Sequence, residues 1–154
     1  MKRWISALMA AFIAACTLVV APAGRAQDDT ATVTVQITGF KGTDGVALVT
    51  LYAGADTWLN IPKALQVVKT KITGPNLTVE FKGVKPGTYA VQVVHDANKN
   101  NELDMRWLPW PKPKEGAGAS NDPDSKAGPP KFDQAKFTVA APSTTVKATV
   151  KYIE

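Results

Sequence analysis

The sequence is poor in the residues that most chemistry needs. It holds one cysteine, Cys16, and one histidine, His95. Cys16 lies in an apolar stretch near the start, so the remainder has no disulfide, no thiol nucleophile and no cysteine-based metal site. A single histidine excludes a multi-histidine transition-metal centre. No long helical period and no internal repeat runs through the chain. Basic residues are scattered and form no stripe of the kind that binds nucleic acid. Ser120 and Ser125 sit in sequence without a nucleophile-elbow pattern, so neither completes a Ser-His-Asp triad with His95.

What is present begins with a leader. Met1-Lys2-Arg3 is a positive start, Trp4 to Val20 is apolar and small, and Pro22 breaks the run. Gly24-Arg25-Ala26 puts small residues where a signal peptidase reads, which predicts a signal-peptide helix over residues 1–26, cut after Ala26, with Ala23 as the second choice. Two competing readings are a retained membrane anchor and lipidation at Cys16, where Ile13-Ala14-Ala15-Cys16 resembles a lipobox. Cleavage predicts a periplasmic or secreted protein with no membrane span. It also changes the charge: removing Lys2, Arg3 and Arg25 from the 18 basic residues leaves 15 against 13 acidic, a net of +2 rather than +5.

Residues 27–154 are about one domain long. They are dominated by period-two alternation, which places alternate side chains on opposite faces of a strand. Val33, Val35 and Ile37 alternate with polar residues. Asp44-Gly45 is a hairpin-type pair before a second strand, Val46 to Tyr52, apolar on both faces as a central strand is. Further strands are expected at Lys63 to Ile72, Leu77 to Phe81, Tyr89 to His95, Gln134 to Ala140 and Thr144 to Ile153. The 96–133 stretch between them reads as a long irregular loop. About seven short strands with turn signals between them predict an all-β sandwich, with a small barrel as the rival architecture.

One string in that loop carries a specific chemical signal: Asp96-x-Asn98-x-Asn100-x-Glu102-Leu103-Asp104. Oxygens at every second position are the spacing of an EF-hand calcium loop. Asp96, Asn98 and Asn100 fill the first three side-chain positions, Glu102 offers its backbone carbonyl, and Asp104 coordinates directly or through water. The sixth position is Asn101 instead of Gly, and the twelfth is Trp107 instead of Glu, so a further ligand such as Asp122 or Asp124 is required. The alternative is an Asx-turn loop in which the same oxygens bond their own backbone. His95, beside Asp96 at a strand end, reads as a hydrogen-bonded rim residue. Trp107 and Trp110, in the aromatic, proline-rich run Trp107-Leu108-Pro109-Trp110-Pro111, form either an exposed platform or a lid over one end of the sandwich; the usual burial of Trp favours the lid.

Phe81-Lys82-Gly83-Val84-Lys85-Pro86-Gly87-Thr88-Tyr89 resembles a strand pair common in exported transthyretin-like and carboxypeptidase-regulatory-like modules. The H-D-x-N-x-N-x-x-L-D string at 95–104, the K-E-G-x-G-x-S-N string at 114–121 and Gly128-Pro129-Pro130-Lys131-Phe132 together resemble the DUF2141 family, exported bacterial proteins of no established function. The resemblance spans Thr32 to Val150 and departs from the family pattern at Asn101 and at the tryptophan run. It implies a single immunoglobulin-like or transthyretin-like sandwich and assigns no activity. The expected function is therefore a non-enzymatic exported module that binds a partner protein or small ligand through the 96–133 loop, with calcium as the candidate cofactor. The alternatives are an envelope hydrolase using His95, Asp96 and a loop residue such as Glu115, and a structural envelope component that assembles through its sheet edges.

Overall fold

The computed structural model describes residues 29–107, 112–124 and 128–153. The expected leader with Cys16, and also Trp110 and Ser125, lie outside the described residues. Among the described residues the chain is all-β. Its strands are β1 (Ala31–Thr38), β2 (Val46–Tyr52), β3 (Gln66–Thr70), β4 (Leu77–Val84), β5 (Gly87–Asp96), β6 (Met105–Arg106), β7 (Lys112–Pro113), β8 (Ala117–Ala119), β9 (Phe137–Val139) and β10 (Ser143–Thr149). One short helix, α1 (Phe132–Ala135), and a 3₁₀ turn at Ile61–Lys63 interrupt them.

Two sheets form the sandwich. The first runs β10-β1-β4, with β1 parallel to β10 and antiparallel to β4. The second runs β3-β2-β5-β8 and is antiparallel throughout, with β9 pairing to the start of β5. Single bridges Ala117–Lys151 and Ser120–Ala148 tie β8 to the C-terminal strand. At the opposite side β3 and β4 meet through the Gln66 amide, which donates to the Lys82 carbonyl at 3.1 Å, and no ladder joins them. The architecture is a sandwich and not a closed barrel.

The alternating residues pack where their period places them. Val33, Val35 and Ile37 of β1 face Ala47, Val49 and Leu51 of β2 and Val91 and Val93 of β5 in one apolar core. Burying each such side chain contributes on the order of 1.5–3 kcal/mol. Sheet two is also covered on its second face. Tyr52, Ala90, Gln92, Val94 and Asp96 are all buried there. Trp58 packs edge-on to Tyr52 at 5.2 Å and to Phe132 at 6.0 Å, and its indole N–H donates to the Pro130 carbonyl at 2.7 Å. Ala135 of α1 joins this layer, packed with Ala90 and with Ala119 of the neighbouring strand β8.

Three expectations change. The 96–133 stretch is not irregular throughout: it supplies β6, β7, β8 and the start of α1. Ala-Gly-Ala at β8 lacks the β-branched signal of a strand, and the β5 ladder holds it in place, a tertiary override of local preference. The strand expected over Gln134 to Ala140 shortens to β9 because Phe132–Ala135 turns helically. The third strand is Gln66–Thr70, since Pro62 opens a 3₁₀ turn before it.

Candidate functional site

Strand β5 ends in two adjacent residues that point to opposite faces. His95 continues the core-facing series, and Asp96 continues the outer one. Gly45 makes this corner possible. It has φ +71, and a Cβ there would collide with the Asp96 carbonyl, so the Asp44-Gly45 pair is required by close approach as well as by the turn.

Asp96 is fully buried. Its Oδ1 accepts from the Asn100 backbone N–H at 3.0 Å, and its Oδ2 from that of Asn101 at 2.9 Å. The Asn98 Oδ1 accepts from the Asn100 N–H at 3.0 Å and the Asn100 Oδ1 from the Glu102 N–H at 2.9 Å. The side-chain amides of Asn98 and Asn100 donate to the two Asp104 oxygens at 2.8 and 3.1 Å. Asn101 adopts φ 65, a left-handed conformation that Asn tolerates. The loop oxygens are thus engaged by N–H groups of the loop itself, as in the Asx-turn reading. Among the described residues no group of three or more His, Cys, Asp or Glu side chains gathers where one cation would meet them all. Asp122, one suggested extra ligand, spends its carboxylate on the Thr149 N–H and hydroxyl instead.

A residue distant in sequence closes the loop. Glu115 is buried, and its Oε1 accepts from the Ala97 N–H at 2.9 Å while its Oε2 accepts from the Asp104 N–H at 3.2 Å. Those two amides bracket the loop, so one carboxylate holds both ends. Glu115 is itself fixed because the Gly116 carbonyl accepts the His95 N–H at 2.8 Å, extending the β5–β8 pairing. The two strings that carried the family resemblance, at 95–104 and at 114–121, are therefore one structural unit.

His95 has a partner at each ring nitrogen. Nε2 lies 2.7 Å from the Asp44 carbonyl, and Nδ1 lies 2.6 Å from the Tyr152 hydroxyl. A carbonyl only accepts, so Nε2 carries the proton, and in the neutral ring Nδ1 accepts from the Tyr152 O–H. That hydroxyl accepts in turn from the Lys41 backbone N–H at 3.1 Å. Phe40 and Tyr152 pack edge-on to the imidazole. A side chain at position 116 would meet the Tyr152 ring at 2.6 Å, which explains the glycine there. His95 pins the 39–45 turn and the C-terminal segment to the end of the core. Ser120 is fully buried, donates to the Ala135 carbonyl and accepts from the Val91 N–H, so it is not exposed for attack.

Trp107 is 70 % exposed, which overturns the lid reading for that residue. It covers no part of the core.

The concavity lies elsewhere, on the outer face of sheet two. A groove of about 1240 Å³ has Gln92 and Ala119 at its floor and Trp58, Ile61, Leu103 and Met105 among its apolar lining. Its volume exceeds the usual range of small-molecule pockets, and its apolar lining is interleaved with polar and charged residues such as Asn60, Glu102, Lys112 and Lys151. The buried Gln92 side chain accepts from the Tyr52 hydroxyl at 3.0 Å. Burial pushes the Tyr52 phenol above its ordinary range, and its hydrogen bond with Thr50 partly offsets the shift. Three residues with positive φ, Leu59 (62), Asn101 (65) and Asp122 (49), line this groove. Asn and Asp tolerate that region, whereas for a bulky residue such as Leu59 it is costly, and such strain concentrates at functional sites.

The residues expected to act together are thus split. Asp96, Asn98, Asn100 and Asp104 do come together, as a hydrogen-bonded loop. His95 belongs to the core end. Asn100 and Glu102, with Asn101 and Leu103, also form part of the groove lining. The sequence reading missed Trp58, Gln92, Ile61 and Tyr152. The signal for the first three was Ala90 and Val94, apolar residues on the second face of β5 that call for a covering layer; Tyr152 was legible only as one of the alternating residues of the last strand.

A sequence-family model described as "Uncharacterized protein conserved in bacteria (DUF2141)" matches residues 35–147. No curated protein and no solved structure matches the chain.

Proposed function

The chain belongs to the DUF2141 family, and from that premise we propose that it is a non-enzymatic exported β-sandwich module that takes a small ligand or a segment of a partner protein in the groove over β5 and β8. The groove itself is the observation that carries the reading: a mainly apolar concavity with a buried amide at its floor and a strained residue, Leu59, on its wall. Much of its lining comes from the 96–133 stretch. Export rests on the leader, with lipidation at Cys16 as the tethered variant.

Nuclear magnetic resonance of the purified, isotope-labelled protein against a set of apolar fragments tests the reading. Shift changes should cluster at Ile61, Leu103, Met105 and Ile153. Changes confined to the β3 edge, at Leu65 and Val67, would instead support the structural-component alternative. The hydrolase alternative is weakened by the two partners of His95 and by the buried Ser120. A hydrolytic activity lost in His95→Ala without loss of folding would revive it.

Calcium is the second reading. The observation in its favour is Asn101, whose left-handed backbone falls at the sixth loop position, where an EF-hand loop makes its sharp turn. Binding would require Asn98 and Asn100 to release Asp104 and turn their oxygens inward. A melting temperature unmoved by millimolar calcium would end that reading.

A further inference from the structure

Glu115 is not among the residues that line the groove, yet it holds one of its walls. Asn100, Asn101, Glu102 and Leu103 all belong to the span between the two amides that Glu115 accepts. Glu115 also directly precedes the Gly116–Ala119 segment that pairs with β5 at the floor. Floor and wall are therefore coupled through one carboxylate. On the other side of the span, Asp96 at the end of β5 accepts the Asn100 and Asn101 amides. The span carries two left-handed residues, Lys99 (φ 63) and Asn101 (φ 65), and the side chains of residues 97–102 are exposed. Apolar packing therefore contributes little to its conformation, and the buried carboxylates set it.

We propose that Glu115 is the positioning residue of the groove: by gripping the Ala97 and Asp104 amides it fixes Asn100–Leu103 as a preformed wall, and ligand affinity depends on it although it touches no ligand. This rests on the groove being the binding surface. A carboxylate is needed because both partners are N–H donors. Glu115→Gln keeps the size but replaces one acceptor oxygen with an NH₂ that faces a donor. One of the two amides is then left unbonded, and the wall is released at one end. A preformed wall binds more tightly because its ordering cost is met before the ligand arrives.

The experiment uses the full chain, a neutral apolar fluorescent dye (N-phenyl-1-naphthylamine) as the probe, and amide hydrogen exchange as the structural readout. Three proteins are compared: wild type, Glu115→Gln, and Ile61→Lys, which places a charge in the groove away from the loop. Glu115→Gln should raise exchange at Ala97 or Asp104 at least tenfold while Val91 and Val93 keep wild-type protection. Its dye affinity should fall several-fold. A merely structural role would not produce that combination, since global loosening would move Val91 and Val93 as well. Wild-type exchange at both loop amides, or unchanged dye affinity in Glu115→Gln while Ile61→Lys abolishes binding, overturns the positioning role. Dye binding that survives Ile61→Lys overturns the groove reading itself, and with it the role assigned to Glu115. Should Glu115→Gln fail to fold, Glu115→Asp, which keeps the carboxylate but is too short to reach both amides, is read by the same two measurements with the same outcomes.

Discussion

His95 and Asp96 are neighbours in the chain and belong to different parts of the molecule. The odd-numbered face of β5, from Tyr89 through Val91 and Val93, enters the apolar core between the sheets and ends at His95, whose ring nitrogens hold Asp44 and Tyr152. The even-numbered face, from Ala90 through Gln92 and Val94, is buried, with Trp58 and α1 packing at its Ala90 end, and it ends at Asp96, the anchor of a polar loop. The first face is sealed by close packing of large side chains. The second is covered by loops and short elements that leave a groove between them. The difference teaches where function is to be sought: on the covered but incompletely filled face, and not at the only histidine.

Predictions follow from separating the two faces. The largest effect belongs to the sealed one. Leu51→Ala empties a fully buried core position and should lower unfolding free energy by about 2–5 kcal/mol. Urea denaturation measures this, and probe affinity of the remaining folded protein should stay at the wild-type value. Equal loss of stability and affinity would mean that the two faces are not separable. Asp96→Ala comes next. It removes the acceptor of the Asn101 N–H and one of the two acceptors of the Asn100 N–H, and should cost about 1–3 kcal/mol. Limited proteolysis should cut between residues 97 and 104 faster than in wild type, with the core strands unaffected.

The smallest effect is a pH dependence. Burial raises the Tyr52 phenol relative to the unfolded chain. Its neutral form is the one favoured by folding, so its contribution is fully present below the unfolded value of about 10 and is lost as pH rises through the higher folded value. Stability measured through the alkaline range should fall less steeply in Tyr52→Phe than in wild type. Identical slopes would remove Tyr52 as an alkaline-sensitive group beneath the groove.

The large strands were legible because alternation is a local signal that the core enforces. Val33, Val35 and Ile37, or Val46 to Tyr52, read as strands and are strands. Ala117-Gly118-Ala119 carries no such signal, since its strand state is imposed by β5. The oxygen spacing from Asp96 to Asp104 was also legible, but spacing alone does not decide what the oxygens bind. A cation and a set of backbone N–H groups draw on the same carboxylates and amides. The part of Glu115 is visible only in three dimensions, because its partners lie 18 and 11 residues away. The groove is less legible still. It is assembled from Trp58 to Pro62, Gln92, the 100–105 segment, the 128–130 segment and the chain end, and no contiguous stretch of sequence records that meeting.

The most direct test sets the groove against the exposed sheet edge. Val67 on β3 is 47 % exposed and is the natural apolar contact for edge-to-edge assembly, whereas Ile61 lines the groove. Probe binding is measured by fluorescence titration on wild type, Ile61→Lys and Val67→Lys. The account predicts that Ile61→Lys abolishes saturable binding and Val67→Lys leaves it at the wild-type affinity. Loss of binding in Val67→Lys with full retention in Ile61→Lys would contradict it.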